Sequence, residues 1–268
     1  MRLWVCAPTE RPEKGERVMR PLADGIPRAE FKFGRPPDDG QPFAIYGQTW
    51  TANGNLPRAL AERRPVFLVD NGYWMPGRGL RSGYYRITYR GLAPIFLKGA
   101  PAPRARPAMR PWRKRGRHVL IAMPGDGYGS TVGLDMTAWK ATIVAEVTKY
   151  TDRPIRVRDK PGYWERPSRP LAADLSNCWA LVTHSSNVAV DAVLAGVPVI
   201  VAETNPAAPV GVTDLARIEE PICPDRDEWW ASLLAQQYML PEMRGGFARD
   251  MLQRVTEQVD GTVLEALL

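Results

Sequence analysis

The most chemically suggestive stretch of the sequence is a run of small polar residues, Ser185, Ser186 and Asn187, between an apolar segment and a segment of helical composition. Ser185 is typical of a helix N-cap, and the amides that follow a cap attract anions together with the helix dipole. A phosphate or diphosphate bound there would also meet the two serine hydroxyls. Asp191 lies four residues after Asn187, on the same helix face, where it could accept hydrogen bonds from sugar hydroxyls. Equally, Ser185 could only cap a buried helix, and Asp191 could only complement its dipole.

Strands and helices alternate around this turn. Apolar runs at 42–47, 65–72, 118–129, 154–161, 179–184 and 197–202 predict strands, the third of which runs into a glycine loop. Segments of helical composition or spacing at 56–64, 135–151, 170–177 and 185–196 predict the helices between them. This alternation predicts an α/β fold with parallel βαβ units, which we interpret as two Rossmann-like halves that face a cleft. Ligands of such sheets bind beyond the carboxyl ends of the strands, where the turn at 183–187 would lie.

Composition predicts four segments. Residues 1–103 form the N-terminal half, 104–117 a basic, proline-rich connector, 118–225 the C-terminal half, and 226–268 helices that pack across both halves. The net charge is +7, and the connector "RARPAMRPWRKRGRH" is the densest basic block. Arg113, Lys114 and Arg115 in it could contact a polyanion such as nucleic acid, a phosphoglycan or an anionic membrane surface. The alternative is a solvated linker, because prolines interleave with the charges.

Aromatic and arginine side chains are concentrated in residues 71–92. Tyr73, Trp74, Arg78 and Arg81 could contact sugar rings or nucleobases. The alternation in "YYRITYR" is equally consistent with a hairpin strand that packs one face. If the segment does bind an acceptor, it would form one positive, aromatic rim with the connector.

Several protein classes are disfavoured by the sequence. No apolar run reaches the length of a membrane span, and the first residues lack a signal-peptide core, so we expect a cytoplasmic protein. The three cysteines are scattered and the chain has two histidines, which argues against a disulfide framework or a structural zinc site.

The stretch "HSSNVAVDAVLAGVPVIV" resembles the donor-binding segment of GT-B glycosyltransferases, in which small hydroxyl residues precede a helix with an acidic residue and a G-x-P-V turn. More narrowly, the chain is similar to the capsular polysaccharide Kdo-transferase-like group. "YGQTW" with "RALAERRPVFLVDNGYW", then "IAMPGDGYGS" and "RVRDKPGYWERPSRPLAADL", carry the rest of this likeness, which covers roughly residues 43–205.

The resemblance implies a nucleotide-sugar donor held mainly by the second half, an acceptor held mainly by the first, and neither a metal nor a cofactor. The donor-binding residues it implies are Gly125, Gly127, Ser130, Lys160, His184, Ser185, Ser186, Asn187 and Asp191. Lys160 stands where the group has histidine, and its ammonium supplies a cation for a donor phosphate. His184 could contact the donor or be a satisfied structural residue at the end of its strand.

Inverting glycosyl transfer needs a carboxylate that takes a proton from the acceptor hydroxyl. Asp70, at the end of "VFLVD", is the first candidate for this base, although it could only cap the turn made by Asn71 and Gly72. Asp126 in the glycine loop is the second candidate, and it could instead hold a donor hydroxyl or favour a turn.

Two functions therefore remain open from the sequence. The first is a glycosyltransferase whose acceptor hydroxyl belongs to a glycan or to hydroxylated DNA. The second is a noncatalytic module with the same scaffold that binds nucleic acid or a protein. The sequence does not specify the sugar, the stereochemical outcome or the oligomeric state.

Overall fold

The computed structural model describes residues 2–47, 55–78, 81–125, 134–160, 169–261 and 263–264. The chain divides into two compact units. Unit 1 comprises Met1–Arg104 and Trp230–Leu268, and unit 2 comprises Ala105–Trp229. Each unit is an α/β structure built on its own sheet, which confirms the predicted fold class.

Unit 1 contains a six-stranded sheet. Its strands are β1 (Leu3–Ala7), β2 (Ala29–Phe33), β3 (Phe43–Tyr46), β4 (Val66–Asn71), β5 (Tyr85–Tyr89) and β10 (Gln237–Tyr238). They lie in the order β10-β5-β4-β3-β1-β2. The first four strands of the chain pair in parallel, whereas β5 pairs antiparallel with both β4 and β10.

Both faces of this sheet are buried, because apolar residues occupy successive positions of its central strands. Side chains alternate between the faces, so Phe67 and Val69 of β4 join the larger core and Val66 and Leu68 join the smaller one. Helices α1 (Pro12–Asp24), α7 (Leu240–Arg244) and α8 (Arg249–Asp260) supply residues to the larger core. Helix α2 (Asn55–Ala61) supplies residues to the smaller core.

Unit 2 contains a four-stranded sheet that is parallel throughout. Its strands β6 (His118–Ala122), β7 (Ile155–Arg158), β8 (Cys178–Thr183) and β9 (Val199–Val201) lie in the order β7-β6-β8-β9. Its helices are α3 (Met136–Val147), α4 (Leu171–Asp174) and α5 (Val188–Leu194). Helix α6 (Asp227–Ala235) contains the boundary between the two units.

The first four strands of each unit follow the same order. In each, the first strand in the chain lies between the second and the third, and the fourth lies beyond the third. The direction of winding therefore reverses between β1 and β3 in unit 1, and between β6 and β8 in unit 2. Crevices at the carboxyl ends of such strand pairs are where open α/β sheets bind ligands.

Most predicted elements are present, with three differences. Strands β1 and β2 and helix α1 were not predicted. The segment 226–268, predicted to contain only helices, also contains a strand, because Gln237 and Tyr238 pair with β5. The segment "YYRITYR" does contain a strand, β5, but both of its faces are buried. The packing of the C-terminal helices across both halves stays a prediction. None of the helices in the described ranges has the length and apolar character needed to cross a membrane.

Candidate active site

Three loops of unit 2 leave the carboxyl edge of its sheet, after β6, β7 and β8. The Thr183 hydroxyl at the end of β8 donates to the carbonyl oxygen of Ala122 at the end of β6, 2.6 Å away. The amide of Met123 donates to the carbonyl oxygen of Arg158 at the end of β7, at 2.9 Å. The loops that begin at these residues therefore start side by side, at the point where the winding of the sheet reverses.

Lys160 lies against Gly125, which follows β6. Its ammonium nitrogen would be 2.5 Å from a Cβ atom built on Gly125. The structure thus brings together Lys160 and Gly125, both of which were predicted to hold the donor. Asp126, Gly127 and Ser130 lie outside the described residues.

The turn after β8 is built differently from the prediction. Helix α5 begins at Val188 with Asn187 at its N-cap, so the assignment of Ser185 as the cap is wrong. Ser186 occupies the capping region instead, because its hydroxyl and its carbonyl accept from the amides of Val188 and Ala189, at 3.4 and 3.1 Å. The amide of Ser186 itself donates to the Thr183 hydroxyl at 3.3 Å. Since these amides are already engaged, an anion here would depend on side chains.

The side chain of Asn205, a residue that was not predicted to belong to the site, stabilises this turn. The side chain is buried, and its amide nitrogen donates to the carbonyl oxygens of His184 and Ser186, at 3.2 and 3.4 Å. The Asn-Pro dipeptide at 205–206 marks a turn in the sequence, and that was the available signal. Trp139 of α3 was also missed, and it meets the His184 ring edge-on at 6.4 Å.

Two polar side chains beside this turn have no internal partner in the described part of the chain. The Ser185 hydroxyl oxygen is buried without a hydrogen bond. The Asp191 carboxylate is partly buried without an ion pair, and this burial raises its pKa to about 6. Burial also lowers the pKa of His184, which keeps its imidazole neutral near pH 7. Buried polar groups normally have partners, so Ser185 and Asp191 are available to a polar ligand.

Asp70 is the last but one residue of β4 in unit 1, on the sheet face that carries Leu68. Its Oδ1 accepts from the amide of Asn71 at 2.7 Å, and its Oδ2 accepts from the guanidinium of Arg86 at 3.1 Å. The Asp70 side chain keeps 19% of its exposure, whereas that of Arg86 keeps 7%. Asp70 therefore both stabilises the turn, as the alternative reading held, and retains an accessible carboxylate.

The two aromatic residues predicted to contact the acceptor are mostly enclosed. Tyr73 is 2% exposed and the Arg86 guanidinium lies 4.8 Å from its ring, which leaves no face for a sugar or a base. Trp74 is half-buried, stacked on Tyr84 at 5.7 Å and edge-on to Trp230 at 5.4 Å. The predicted stacking role of Tyr73 is wrong because the ring belongs to the interior of unit 1.

Arg78 and Arg81 point out of the loop between β4 and β5. Both are exposed, and neither has an ionic partner among the residues that the structure describes. Arg78 and Met75 adopt left-handed backbone angles, with φ of 52° and 45°, which L-residues seldom do outside functional or tightly determined loops. The amides of Gly72 and Gly77, which both donate to the Tyr84 carbonyl, hold the loop in this shape.

The basic connector is packed on other parts of unit 2 at Arg113, while many of its other residues are exposed. The guanidinium of Arg113 donates to the carbonyl oxygen of Leu175, and the Arg113 amide donates to that of Gly196. Lys114 and Arg115 are exposed. They precede Gly116, which lies against the first residues of β8, at the amino end of the sheet and therefore opposite the loops described above. Arg113 therefore has a structural role, whereas contact of Lys114 and Arg115 with a polyanion stays a prediction.

Comparison with known proteins is informative at the level of structure. No protein-family model matches the chain, and no curated protein matches its sequence. The chain is similar to Thermosulfurimonas dismutans KpsC, beta Kdo 2,4 transferase, with a TM-score of 0.54 and 14% identity over 87% of this chain and 90% of that chain. It is also similar to Thermosulfurimonas dismutans KpsC, beta Kdo 2,7 transferase, with a TM-score of 0.53 and 11% identity over 94% and 100% of the two chains.

Sequence identities this low are evidence for the fold alone. That fold agrees with the one that the sequence resemblance implied. Mainly parallel sheets packed with helices, the strand orders and the likeness to two transferase structures all support this fold. This chain therefore has the fold of the GT-B Kdo-transferase-like glycosyltransferases.

Proposed function

We propose that this protein is a glycosyltransferase that moves a sugar from a nucleotide-activated donor to a hydroxyl group of a negatively charged acceptor. The observation that carries the proposal is the arrangement at the carboxyl edge of unit 2. There Lys160 lies against Gly125, and the turn after the neighbouring strand β8 presents a buried hydroxyl oxygen and a partly buried carboxylate that have no partners in the described part of the chain. The fold shared with two transferases supports it.

The donor residues have complementary chemistry. Lys160 neutralises phosphate charge, which is what a departing nucleotide needs when no metal takes part. The Ser185 hydroxyl donates to a phosphate or sugar oxygen, and Asp191 accepts from sugar hydroxyls. His184 serves as a neutral hydrogen-bonding group because its pKa is lowered by burial. Asn205 keeps the backbone of the turn in place.

Asp70 is the general base in this proposal if the reaction inverts. A base must lie within hydrogen-bond reach of the hydroxyl proton that it takes, and Asp70 is the accessible carboxylate at the carboxyl end of β4. Its Oδ2 is held by Arg86, and each carboxylate oxygen has a second lone pair that an acceptor hydroxyl could use. Asp126 remains the competing candidate.

The acceptor carries negative charge in this proposal because the exposed groups near Asp70 are cationic. Arg78 and Arg81 lie on the loop that follows β4, which also carries the half-buried Trp74. Lys114 and Arg115 are exposed cations of unit 2, at the amino end of its sheet. An anionic glycan and hydroxylated DNA both offer a hydroxyl beside phosphate or carboxylate groups.

Thermal unfolding with a panel of nucleotides tests the donor site. We expect one of CMP, CDP, UDP, GDP or dTDP to stabilise the protein by about 1 kcal/mol or more at saturation, since ligands that bind only the folded state raise its stability. Ser186→Asp places like charge in the turn and should abolish the effect. Lys160→Gln should weaken binding about tenfold, the scale of one charge-assisted hydrogen bond.

Lys149→Gln is the matched control. Lys149 is exposed and follows the carboxyl end of α3, so it lies at the other edge of the same sheet. Its replacement should leave nucleotide binding unchanged. If no nucleotide or nucleotide sugar stabilises the protein, while nucleic acid binds with strong salt dependence, the noncatalytic module becomes the better description.

A further inference from the structure

A row of polar side chains crosses three strands of unit 1 at the carboxyl end of β4. Gln237 of β10 lies directly opposite Arg86 of β5, and Arg86 lies directly opposite Asp70 of β4. Residues that are directly opposite in antiparallel strands project from the same face of the sheet. Gln237, Arg86 and Asp70 therefore form one continuous row that ends at the proposed base.

Exposure rises along this row. Gln237 is 0% exposed, Arg86 is 6% exposed, and the Asp70 side chain keeps 19% of its exposure. A guanidinium removed from water is unfavourable unless a charged or polar partner compensates it, and the Asp70 carboxylate lies 3.1 Å away. The ring of Tyr73, 4.8 Å from the guanidinium, closes the other side. Arg86 thus has little freedom to turn away from Asp70.

We infer that Arg86 is a positioning residue, which fixes the carboxylate of Asp70 in the orientation that proton abstraction needs. This inference rests on the proposed function. In an inverting transfer, the acceptor oxygen bonds to the anomeric carbon, the bond from that carbon to the phosphate oxygen breaks, and the nucleotide leaves with the electron pair. The hydroxyl proton passes to Asp70. Displacements of about 1 Å in such a group lower rates strongly, so a fixed carboxylate matters.

Gln237 completes the arrangement from the distant end of the chain. Its Oε1 accepts from the amide of Trp74 at 3.1 Å. The same oxygen would lie 2.7 Å from a Cβ atom built on Gly72, so the loop after Asp70 passes directly over it. Gln237 fixes this loop, whereas Arg86 fixes the carboxylate that precedes it.

The test compares Arg86→Met, Arg86→Lys, Asp70→Asn and the double variant Asp70→Asn/Arg86→Met. We expect Arg86→Met to lower kcat about 10- to 100-fold with the donor KM within about twofold, because transition-state placement is lost and donor binding is not. Arg86→Lys keeps a cation near Oδ2 and should recover a large part of kcat. In the Asp70→Asn background, Arg86→Met should lower kcat by less than about twofold, since residues that act as a unit are non-additive.

Arg90→Met is the matched control, because Arg90 also pairs with a partly buried aspartate of unit 1, Asp260, at 3.2 Å. This variant should lower the urea midpoint without a change in kcat per folded molecule. If Arg86→Met behaves like it, or if its effect on kcat is the same with and without Asp70, Arg86 is structural only and the inference is overturned.

Failure of the proposed function is visible separately. If the wild type transfers no sugar from any donor, the function is wrong, and urea unfolding of the same four proteins still reports on the pair. A held carboxylate predicts that Asp70→Asn shifts the urea midpoint in the wild type at least twice as much as in the Arg86→Met background. Equal shifts would show that Arg86 does not hold Asp70.

Discussion

Asp70 and Asp191, one in each unit, are both partly buried aspartates beside the carboxyl edge of a sheet, yet their surroundings are opposite. Asp70 has a guanidinium at 3.1 Å and a backbone amide at 2.7 Å. Asp191 has no hydrogen-bond or ionic partner within the described ranges, and burial raises its pKa to about 6. The charge on Asp70 is supported from inside the protein, whereas the charge on Asp191 lacks such support. This difference fits the proposed function, in which Asp70 takes part in the reaction and Asp191 contacts a ligand.

The largest effect, on turnover, is expected from replacement of Asp70, the carboxylate that has internal partners. Asp70→Asn removes the proposed base while its side-chain oxygen can still accept from the Asn71 amide, so turnover should fall by about 100-fold or more. Because Arg86 loses its charged partner, the free energy of unfolding should also fall, by roughly 1–3 kcal/mol. Sugar transfer under saturating donor and urea unfolding measure the two effects. Full turnover in Asp70→Asn together with loss in Asp126→Asn would move the catalytic role to the glycine loop.

Replacement of Asp191, the carboxylate without a partner in the described ranges, should change the free energy of unfolding in the opposite direction. The pKa of Asp191 is raised from 3.8 to about 6, so the folded protein binds this proton more tightly than the unfolded chain does. The stability that results is present at low pH and is lost as pH rises through 6. At pH 8, Asp191→Asn should therefore be more stable than the wild type by on the order of 2 kcal/mol, and at pH 4 the difference should be small.

Urea unfolding of both proteins at pH 4, 6 and 8 measures this difference. Asp70→Asn serves as the contrasting control, because its effect on stability should be destabilising at pH 8. A stability difference for Asp191→Asn that is the same at all three pH values would contradict the assignment of a partnerless buried carboxylate.

Replacement of Ser185, in the turn that precedes Asp191, should weaken ligand binding without weakening folding. Its hydroxyl oxygen is buried without a partner in the described part of the chain, so Ser185→Ala should leave the free energy of unfolding within about 0.5 kcal/mol or raise it. Nucleotide affinity should fall by roughly 5- to 10-fold, which corresponds to one hydrogen bond of about 1 kcal/mol. Calorimetric titration of wild type and variant tests this. A variant that is clearly less stable without ligand would show that the hydroxyl has a structural partner.

The smallest effects are expected at the exposed cations of the connector. Replacement of Lys114 and Arg115 with alanine should change stability by no more than about 0.5 kcal/mol. If the acceptor is nucleic acid, the same change should lower the slope of log affinity against log salt by about 0.9 per lost phosphate contact. Arg113→Ala behaves differently, because the carbonyl oxygen of Leu175 loses its donor and roughly 1–2 kcal/mol of stability should go with it. An unchanged salt slope in the double variant would remove Lys114 and Arg115 from the acceptor surface.

Features whose residues all lie within one short stretch of sequence could be predicted from that sequence. Strands β6 and β8 are apolar runs that lead into a glycine loop and a polar turn, and parallel sheets place such turns at one edge. Helix α1 was missed because Pro21 lies inside it, and proline inside a helical pattern normally indicates an interruption. The turn at 183–187 was located correctly, but its capping residue was not, since Ser185, Ser186 and Asn187 are all good caps by residue type.

Arg86 and Gln237 could not have been identified from local pattern. The partner of Asp70 depends on the register between β4 and β5, and a shift of one residue would move Arg86 to the other face. Gln237 belongs to a two-residue strand far along the chain, inside a segment whose composition is helical. Burial of Tyr73 likewise depends on the arginine above it, which the aromatic composition of 71–92 does not reveal.

The division of unit 1 into two stretches of sequence has a consequence for biosynthesis. Unit 2 is continuous from Ala105 to Trp229, so a ribosome completes it before it makes Gln237. Until then the outer edge of β5 has no strand beside it, and unpaired edges are where nascent chains join the wrong neighbour. The backbone pairing that covers Arg86 is therefore among the last of this sheet to form. A chaperone that shields a strand edge would act in that interval, and a ribosome stalled between Trp229 and Gln237 would release a chain whose unit 1 is unfinished.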